Sequence, residues 1–135
     1  MKFFSWDKDG GPESKVAGLF LCEIKSLFSV ALLHFYNGSR DAYHNHAFNA
    51  LSWLFSGQLK EDTLAGDTAY YRPGLKPIVT PRNRFHRVTS VGDTWVLTFR
   101  GPWVDTWKEY LPKLKEFVTL THGRKPVMYT RPTCD

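Results

Sequence analysis

The sequence predicts an all-β domain, built as a sandwich or barrel of many short strands. Turn-forming pairs recur at short intervals, among them Asn37-Gly38, Gly66-Asp67 and Gly92-Asp93. Between the turns lie short runs rich in Val, Leu, Phe, Tyr, Trp and Thr, and this alternation is typical of all-β proteins. Apolar residues make up 42% of the 135 residues, which is enough to build a packed core without disulfide support.

The runs predict nine strands in chain order. They are Gly18 to Ile24, Phe28 to Tyr36, Ala42 to Phe55, Gln58 to Thr63, Thr68 to Arg72, Pro77 to Thr80, Phe85 to Val91, Thr94 to Arg100 and Phe117 to Thr121. The third is long for a single strand, and we expect it to bend near Ala47. One short helical turn is predicted from Trp107 to Glu116, interrupted by Pro112. No repeat or linker divides the chain, so residues 1–135 are predicted to form one domain.

Charge and hydropathy narrow the classes of partner. The formal net charge of +5 weakly favours anionic ligands. The Lys and Arg residues are scattered along the chain, so nucleic-acid binding is not expected. No stretch approaches the roughly 18 apolar residues of a membrane span, and the N-terminal residues contain no apolar targeting segment, so no membrane partner is expected.

Three histidines form a candidate metal site. His44 and His46 are two residues apart, and residues at this spacing in a strand point to the same face. Pro81 and Asn83 predict a bend shortly before His86, with Asn83 tolerant of a left-handed conformation. The turn is expected to bring the third imidazole toward the first two.

The spacing around these histidines resembles the two sequence motifs of the cupin superfamily. The first motif, G-x5-H-x-H-x3-4-E-x6-G, is matched from Gly38 to Gly57 with every spacing kept, but Ala50 stands in place of Glu. The second, G-x5-P-x-G-x2-H-x3-N, is matched from Gly74 to Ser90, with one extra residue in the first gap, Asn83 for Gly and Ser90 for Asn. Further segments, such as Trp95 to Trp103, are similar to small cupin proteins of bacteriophages and bacteria.

This resemblance implies a single-domain cupin, an all-β double-stranded β-helix or jelly-roll barrel, with a divalent metal ion on His44, His46 and His86. Three-histidine cupins include thiol dioxygenases, so Fe(II) is favoured, with Zn or Ni as alternatives. Ala50 leaves coordination positions open and the metal charge uncompensated, which favours a small anionic ligand. The resemblance also implies a homodimer paired through outer sheets. We expect a cytoplasmic protein, in the host cytoplasm if the gene belongs to a phage.

Other side chains are candidates for the wall of the site. Arg84 shares strand parity with His86, and Arg100 ends a strand, so either is expected to orient an anion through its planar guanidinium. Tyr43 is a candidate aromatic wall, and His34 a candidate proton donor. Glu61 is interpreted as a solvated strand residue, or alternatively as a fourth metal ligand.

The leading hypothesis is a metal-dependent oxygenase, of the dioxygenase type, acting on a small anionic substrate. One alternative is a barrel without catalysis that binds or sequesters a small anion, such as a nucleotide or a sugar phosphate. A further alternative is an isomerase or epimerase. Because no carboxylate base stands in a suitable position of the motifs, His34 or Tyr43 would have to move the proton in that case.

Overall fold

The computed structural model describes residues 2–9, 16–38, 43–111, 115–121 and 125–130. Their fold is all-β, as predicted, and no helix occurs in these ranges, so none of them spans a membrane by a helix. The strands are β1 (Lys2–Lys8), β2 (Val16–Ile24), β3 (Phe28–Phe35), β4 (Ala50–Thr63), β5 (Thr68–Tyr71), β6 (Ile78–Thr80), β7 (His86–Arg100), β8 (Trp107–Leu111), β9 (Glu116–Thr121) and β10 (Lys125–Thr130). In the described residues they form one sheet in the order β1-β2-β3-β7-β4-β5, with β6 on β4, and a second in the order β10-β9-β8.

Two long strands, β4 and β7, form the central ribbon. They pair in antiparallel register from Ala50 with Arg100 to Thr63 with His86. The sequence predicted a break in each strand, at Gly57 and at Gly92, and both breaks are wrong. The register shifts on either side of Ser56, so bulges bend the ribbon there while its hydrogen bonding continues.

The ribbon folds back on itself, because a short segment connects its two ends. His44 and His86 exchange both backbone hydrogen bonds, at 3.0 and 2.9 Å, and the Gly101 N–H donates to the Asn49 carbonyl at 2.9 Å. A straight strand from residue 86 to residue 100 would extend about 45 Å. His44 and Asn49 are only five steps apart along the chain, so the segment between them spans at most about 18 Å. The ribbon therefore closes into a barrel around its buried face.

The same short segment joins the two sheets into that barrel. His44 forms isolated bridges with His86 on one side and with Glu109 of β8 on the other. The Tyr110 N–H donates to the Tyr43 carbonyl at 2.7 Å, which extends the contact along β8. One wall thus runs from β5 through the first half of β7 and residue 44 to β8, β9 and β10. The opposite wall contains β1, β2, β3 and the second half of β7.

The predicted helix from Trp107 to Glu116 is wrong. Trp107 to Leu111 form β8, which pairs with β9 from Trp107 opposite Leu120 to Leu111 opposite Glu116. The strand-forming residues of this hairpin bury one face against the barrel, and this packing outweighs the local preference for a turn. Pro112 lies outside the described residues.

The core lies between the walls and consists of alternate residues of adjacent strands. On β3, Ala31 and Leu33 are buried, while His34 between Leu33 and Phe35 points to the other face. The buried cluster comprises Val16, Phe20, Ala31, Leu33, Leu54, Leu59 and Val96.

Candidate metal centre

Three imidazoles meet where the short segment crosses the end of β7. One ligand atom of each of His44, His46 and His86 lies within 4.8 Å of the others. The rings of His46 and His86 are nearly perpendicular, at 85°, and their Nε2 atoms are 2.9 Å apart. Nitrogens that share a zinc ion lie about 2.0–2.1 Å from it, so this separation suits a common metal ion. The residues present therefore fit a divalent metal.

The segment that carries His44 and His46 is not the regular strand that the sequence predicted from Ala42 to Phe55. Of its described part, only residues 50–55 belong to a strand, and His44 is an isolated bridge. His46 is held by its N–H, which donates to the Arg82 carbonyl at 3.0 Å, and Arg82 donates in turn to Asn49 Oδ1 at 2.8 Å. The rings of His44 and His46 converge as predicted. They are positioned by hydrogen bonds to neighbouring segments, and no continuous strand ladder runs through them.

The bend expected before His86 is present. The Arg84 N–H donates to the Pro81 carbonyl at 3.1 Å, which closes a four-residue turn. Asn83 does not use the left-handed conformation expected for it, because the non-glycine residues with positive φ in the described ranges are Phe4 and Lys115. The turn brings His86 beside His44 without backbone strain.

Burial keeps the imidazole of His46 neutral. Loss of solvation lowers the pKa of His46 well below the ordinary value of 6.5, and the nearby positive charges of His44, His86 and Arg100 lower it further. A neutral imidazole keeps a lone pair for a metal ion. His46 is thus in the state that coordination requires.

Glu61 has a role that the sequence did not indicate. Its side chain is 6% exposed, so the interpretation as a solvated strand residue is wrong. The Nδ1 of His86 lies 2.6 Å from Glu61 Oε2, and the Tyr71 hydroxyl donates to Oε1 at 3.0 Å. The hydrogen bond from His86 lowers the pKa of Glu61 against the effect of burial, and the His86 charge, Tyr71 and Arg84 lower it further. An ionised carboxylate only accepts, so His86 donates from Nδ1 and presents Nε2 to the other histidines.

Arg84 belongs to the same network. Its Nη1 lies 3.6 Å from Glu61 Oε1 and donates to the Val79 carbonyl at 3.3 Å. The guanidinium therefore points toward the carboxylate behind His86, on the side away from the converging Nε2 atoms. In this structure Arg84 balances the charge of Glu61.

The Phe48 ring lies between Arg100 and the histidine cluster. Its side chain is 6% exposed and donates to both carboxylate oxygens of Asp9, at 3.1 and 2.6 Å. Its guanidinium carbon lies 4.6 Å from the centre of the Phe48 ring, which stacks on His46 at 5.1 Å. Burial raises the pKa of Asp9, but the charge and hydrogen bonds of Arg100 outweigh it, so the pKa is lowered. Asp9 thus occupies the position that the sequence assigned to an anionic substrate.

The structure does not bring Tyr43 and His34 to the histidine cluster. The Tyr43 ring lies 4.7 Å from the guanidinium carbon of Arg87. Arg87 is next to His86 on β7, so its side chain projects from the opposite face of the strand. His34 lies parallel to Trp95, at 1° and 4.3 Å between ring centres, on the outer face of the sheet. Strand parity explains the position of His34, because its neighbours Leu33 and Ala31 take the inward positions.

Ala50 stands where the sequence motif has a carboxylate. It pairs with Arg100 on one side and with Thr80 on the other, and both of these side chains are buried. Directly paired residues share a face, so Ala50 points into the barrel and adds no oxygen to it.

The comparisons with known proteins establish the fold. No protein-family model matches the chain, and no curated protein matches it. A cupin superfamily sugar phosphate isomerase from Silicibacter pomeroyi is similar in structure, with a TM-score of 0.64, 15% identity, and coverage of 97% of this chain and 92% of that chain. An RmlC-like cupin from Shewanella frigidimarina has a TM-score of 0.59 and 14% identity, over 73% of this chain and 84% of that chain.

A third similar structure, reported among DMSP lyases, has a TM-score of 0.58 and 16% identity, over 73% of this chain and 56% of that chain. The chain therefore has the cupin fold, a double-stranded β-helix, as its sequence motifs predicted. Two of these structures are named for different reactions, sugar phosphate isomerisation and DMSP lysis, and a shared fold does not determine the reaction.

Proposed function

We propose that this cupin is a metal-dependent enzyme of the Fe(II) oxygenase type, which acts on a small anionic substrate at His44, His46 and His86. The observation that carries the proposal is the convergence of three imidazoles within 4.8 Å, one of them oriented by a buried carboxylate. Structural metal sites usually have four protein ligands, whereas three ligands with open positions are typical of catalytic sites.

The side chains around the site have separate tasks in this proposal. His44, His46 and His86 hold the ion, and Glu61 holds the proton on His86 Nδ1, so that Nε2 stays available. The rings of Phe48 and Trp103, 5.2 Å apart, form an apolar wall beside His46. Such a wall excludes water and strengthens electrostatic attraction inside the barrel. An Fe(II) ion bound there supplies Lewis acidity and redox chemistry with O₂.

The charge balance favours an anion as substrate. Three neutral imidazoles leave a divalent ion with its full charge, and the charge of Glu61 is already shared with His86 and Arg84. An anionic group entering an open coordination position then meets net positive charge. Arg100 adds little to this attraction, because both of its terminal nitrogens are bound by the carboxylate of Asp9.

Metal analysis and turnover test the proposal. The wild-type protein is expected to bind one equivalent of Fe(II), Zn or Ni, and the Fe(II) form to consume O₂ with one of a panel of small carboxylates, thiols and phosphates. His44→Ala and His86→Ala should lose both properties, whereas the control His34→Ala, on the outer face, should keep both. The proposal fails if the two site variants bind metal and turn over as the wild type does.

Isomerisation of a sugar phosphate is the second candidate. It is favoured by the likeness to the Silicibacter pomeroyi isomerase, which extends over almost the whole of both chains. Isomerase activity requires no O₂, so turnover of sugar phosphates under argon distinguishes it from oxygenation. Binding without chemistry would instead appear as a thermal shift by nucleotides or sugar phosphates that persists in metal-stripped protein.

A further inference from the structure

Glu109 lies beside His44 on the wall that carries the metal site. His44 bridges two residues across the sheet, His86 on one side and Glu109 of β8 on the other. In antiparallel pairs, directly opposite side chains project to the same face, with Cβ atoms about 4.5–5.5 Å apart. His86 faces the interior, so His44 and Glu109 face it as well.

The packing of β8 gives the same orientation independently. Trp107, two residues before Glu109, meets Trp103 at 5.6 Å, and Trp103 meets Phe48 beside His46. Glu109 pairs with the buried Val118. In contrast, Tyr110 packs on Phe117 at the opposite face of the hairpin. Glu109 thus belongs to the row of side chains that faces the histidines, and it is partly buried there.

We propose that Glu109 is the carboxylate of the metal centre, and that it contributes an oxygen to the divalent ion bound by the three histidines. The carboxylate comes from β8, in place of the one that Ala50 does not provide. Glu61 cannot act in this way, because it bonds the Nδ1 of His86 on the far side of the ring. This inference rests on the proposed metal site. One carboxylate reduces the charge of the loaded site from +2 to +1, which still attracts an anionic ligand. An ion with six coordination positions then keeps two of them open, as the proposed oxygenase requires.

Titration of metal-stripped protein with Co²⁺ and Zn²⁺ tests the role of Glu109. Chelator competition gives the affinity, and the visible spectrum of Co²⁺ reports its ligand set. Glu109→Gln is expected to lower the affinity tenfold or more and to change the Co²⁺ spectrum, and Glu109→Asp should lie between. Added formate should restore part of the affinity of Glu109→Ala. The matched control is Glu116→Gln, which makes the same change of charge on β9 opposite Leu111 and should bind as the wild type does.

The outcomes separate this inference from the proposed function. If Glu109→Gln binds Co²⁺ with wild-type affinity and spectrum while His86→Ala loses binding, the histidine site stands and the role of Glu109 is refuted. If His86→Ala binds as tightly as the wild type, the proposed function itself fails. Should Glu109→Gln not fold, as judged by circular dichroism, the same titration of Glu109→Ala without formate decides, and wild-type affinity and spectrum there refute the inference.

Discussion

The Nδ1 proton of His86 is held by a carboxylate from a different strand. Glu61 and His86 are 25 residues apart in sequence, and their hydrogen bond of 2.6 Å exists because β4 pairs with β7. Partners of this kind fix the orientation and tautomer of a metal-binding histidine and raise its basicity. Glu61 should therefore matter for metal binding although it never touches the ion.

We expect Glu61→Gln to weaken metal binding about 10- to 100-fold, since an amide no longer stabilises the imidazole as a carboxylate does. Chelator competition with Zn²⁺ measures the change. The matched control is Asp62→Asn, one residue along β4, where the carboxylate points to the other face and meets Arg87 at 3.6 Å. Equal affinities of the two variants would show that the hydrogen bond does not tune the site.

His46 predicts a pH dependence of stability. Its pKa in the folded protein lies well below 6.5, so below pH 6.5 the unfolded chain binds a proton that the folded chain does not. The free energy of unfolding of the metal-free protein is then expected to fall as pH decreases from about 6.5 toward the folded pKa. Urea unfolding between pH 7.5 and pH 5 measures it.

A variant with asparagine at this position isolates the contribution of His46. His46→Asn should show a flatter decline of stability between pH 7 and 5 than the wild type. An unchanged slope in His46→Asn would mean that other groups cause the dependence.

At the scale of elements, the bend of the central ribbon depends on one glycine. Gly57 has φ of 87°, and a Cβ atom there would lie 2.5 Å from the Asp93 carbonyl oxygen and closer still to Thr94 Oγ1. The Thr94 hydroxyl in turn accepts the Gln58 N–H at 3.2 Å. No side chain fits at this crossing of β4 and β7.

Gly57→Ala is expected to destabilise the protein by about 2–5 kcal/mol, from the left-handed backbone and the steric overlap together. Gly66→Ala is the control, because Gly66 also has a positive φ, 102°, but a Cβ there meets nothing within 4 Å. The control should lose only roughly 1–2 kcal/mol. Chemical denaturation measures both, and equal losses would mean that the crossing adapts to the methyl group.

The strands that were predicted well are those whose signal is local. β2 and β3 have alternating apolar residues and a turn between them, and their predicted bounds differ by one or two residues. β4 and β7 were each divided, because a bulge next to a glycine has the same local sequence as a turn, and only pairing with the partner strand distinguishes them. β1 was missed, since its Lys and Asp residues interrupt the alternation and its structure depends on β2.

At the scale of the whole molecule, the site residues also divide into those with a signal in the sequence and those that depend on strand pairing. His44, His46 and His86 were found because their spacing follows two sequence motifs, which together extend from Gly38 to Ser90. Glu61 and the proposed ligand Glu109 come from strands whose register no local pattern gives, although parity along each strand gives the face of each side chain once the pairing is known. Arg100 was predicted to bind substrate, and its ion pair with Asp9 was not predicted, because Asp9 lies 91 residues away in sequence.

The homodimer stays a prediction, and the outer face of the larger sheet is the surface through which we expect it to pair. Trp6 on β1 and Phe99 on β7 are 52% and 42% exposed. The ring of Trp6 lies 6.5 Å from that of Trp95, and the ring of Phe99 lies 5.7 Å from that of Trp53. Exposed aromatic side chains on one face of a sheet are typical of an interaction site, and a symmetric dimer buries the same surface on both copies.

We therefore expect the wild-type protein to have twice the chain mass of 15.6 kDa in solution, by size-exclusion chromatography with light scattering. Trp6→Glu and Phe99→Glu should each shift it toward the monomer, because a buried unpaired charge opposes association. Leu75→Glu is the control, since Leu75 is 95% exposed on the loop between β5 and β6 and should leave the mass unchanged. A wild-type protein that remains monomeric at millimolar concentration would contradict the dimer, and the metal site would then have to function within a single barrel.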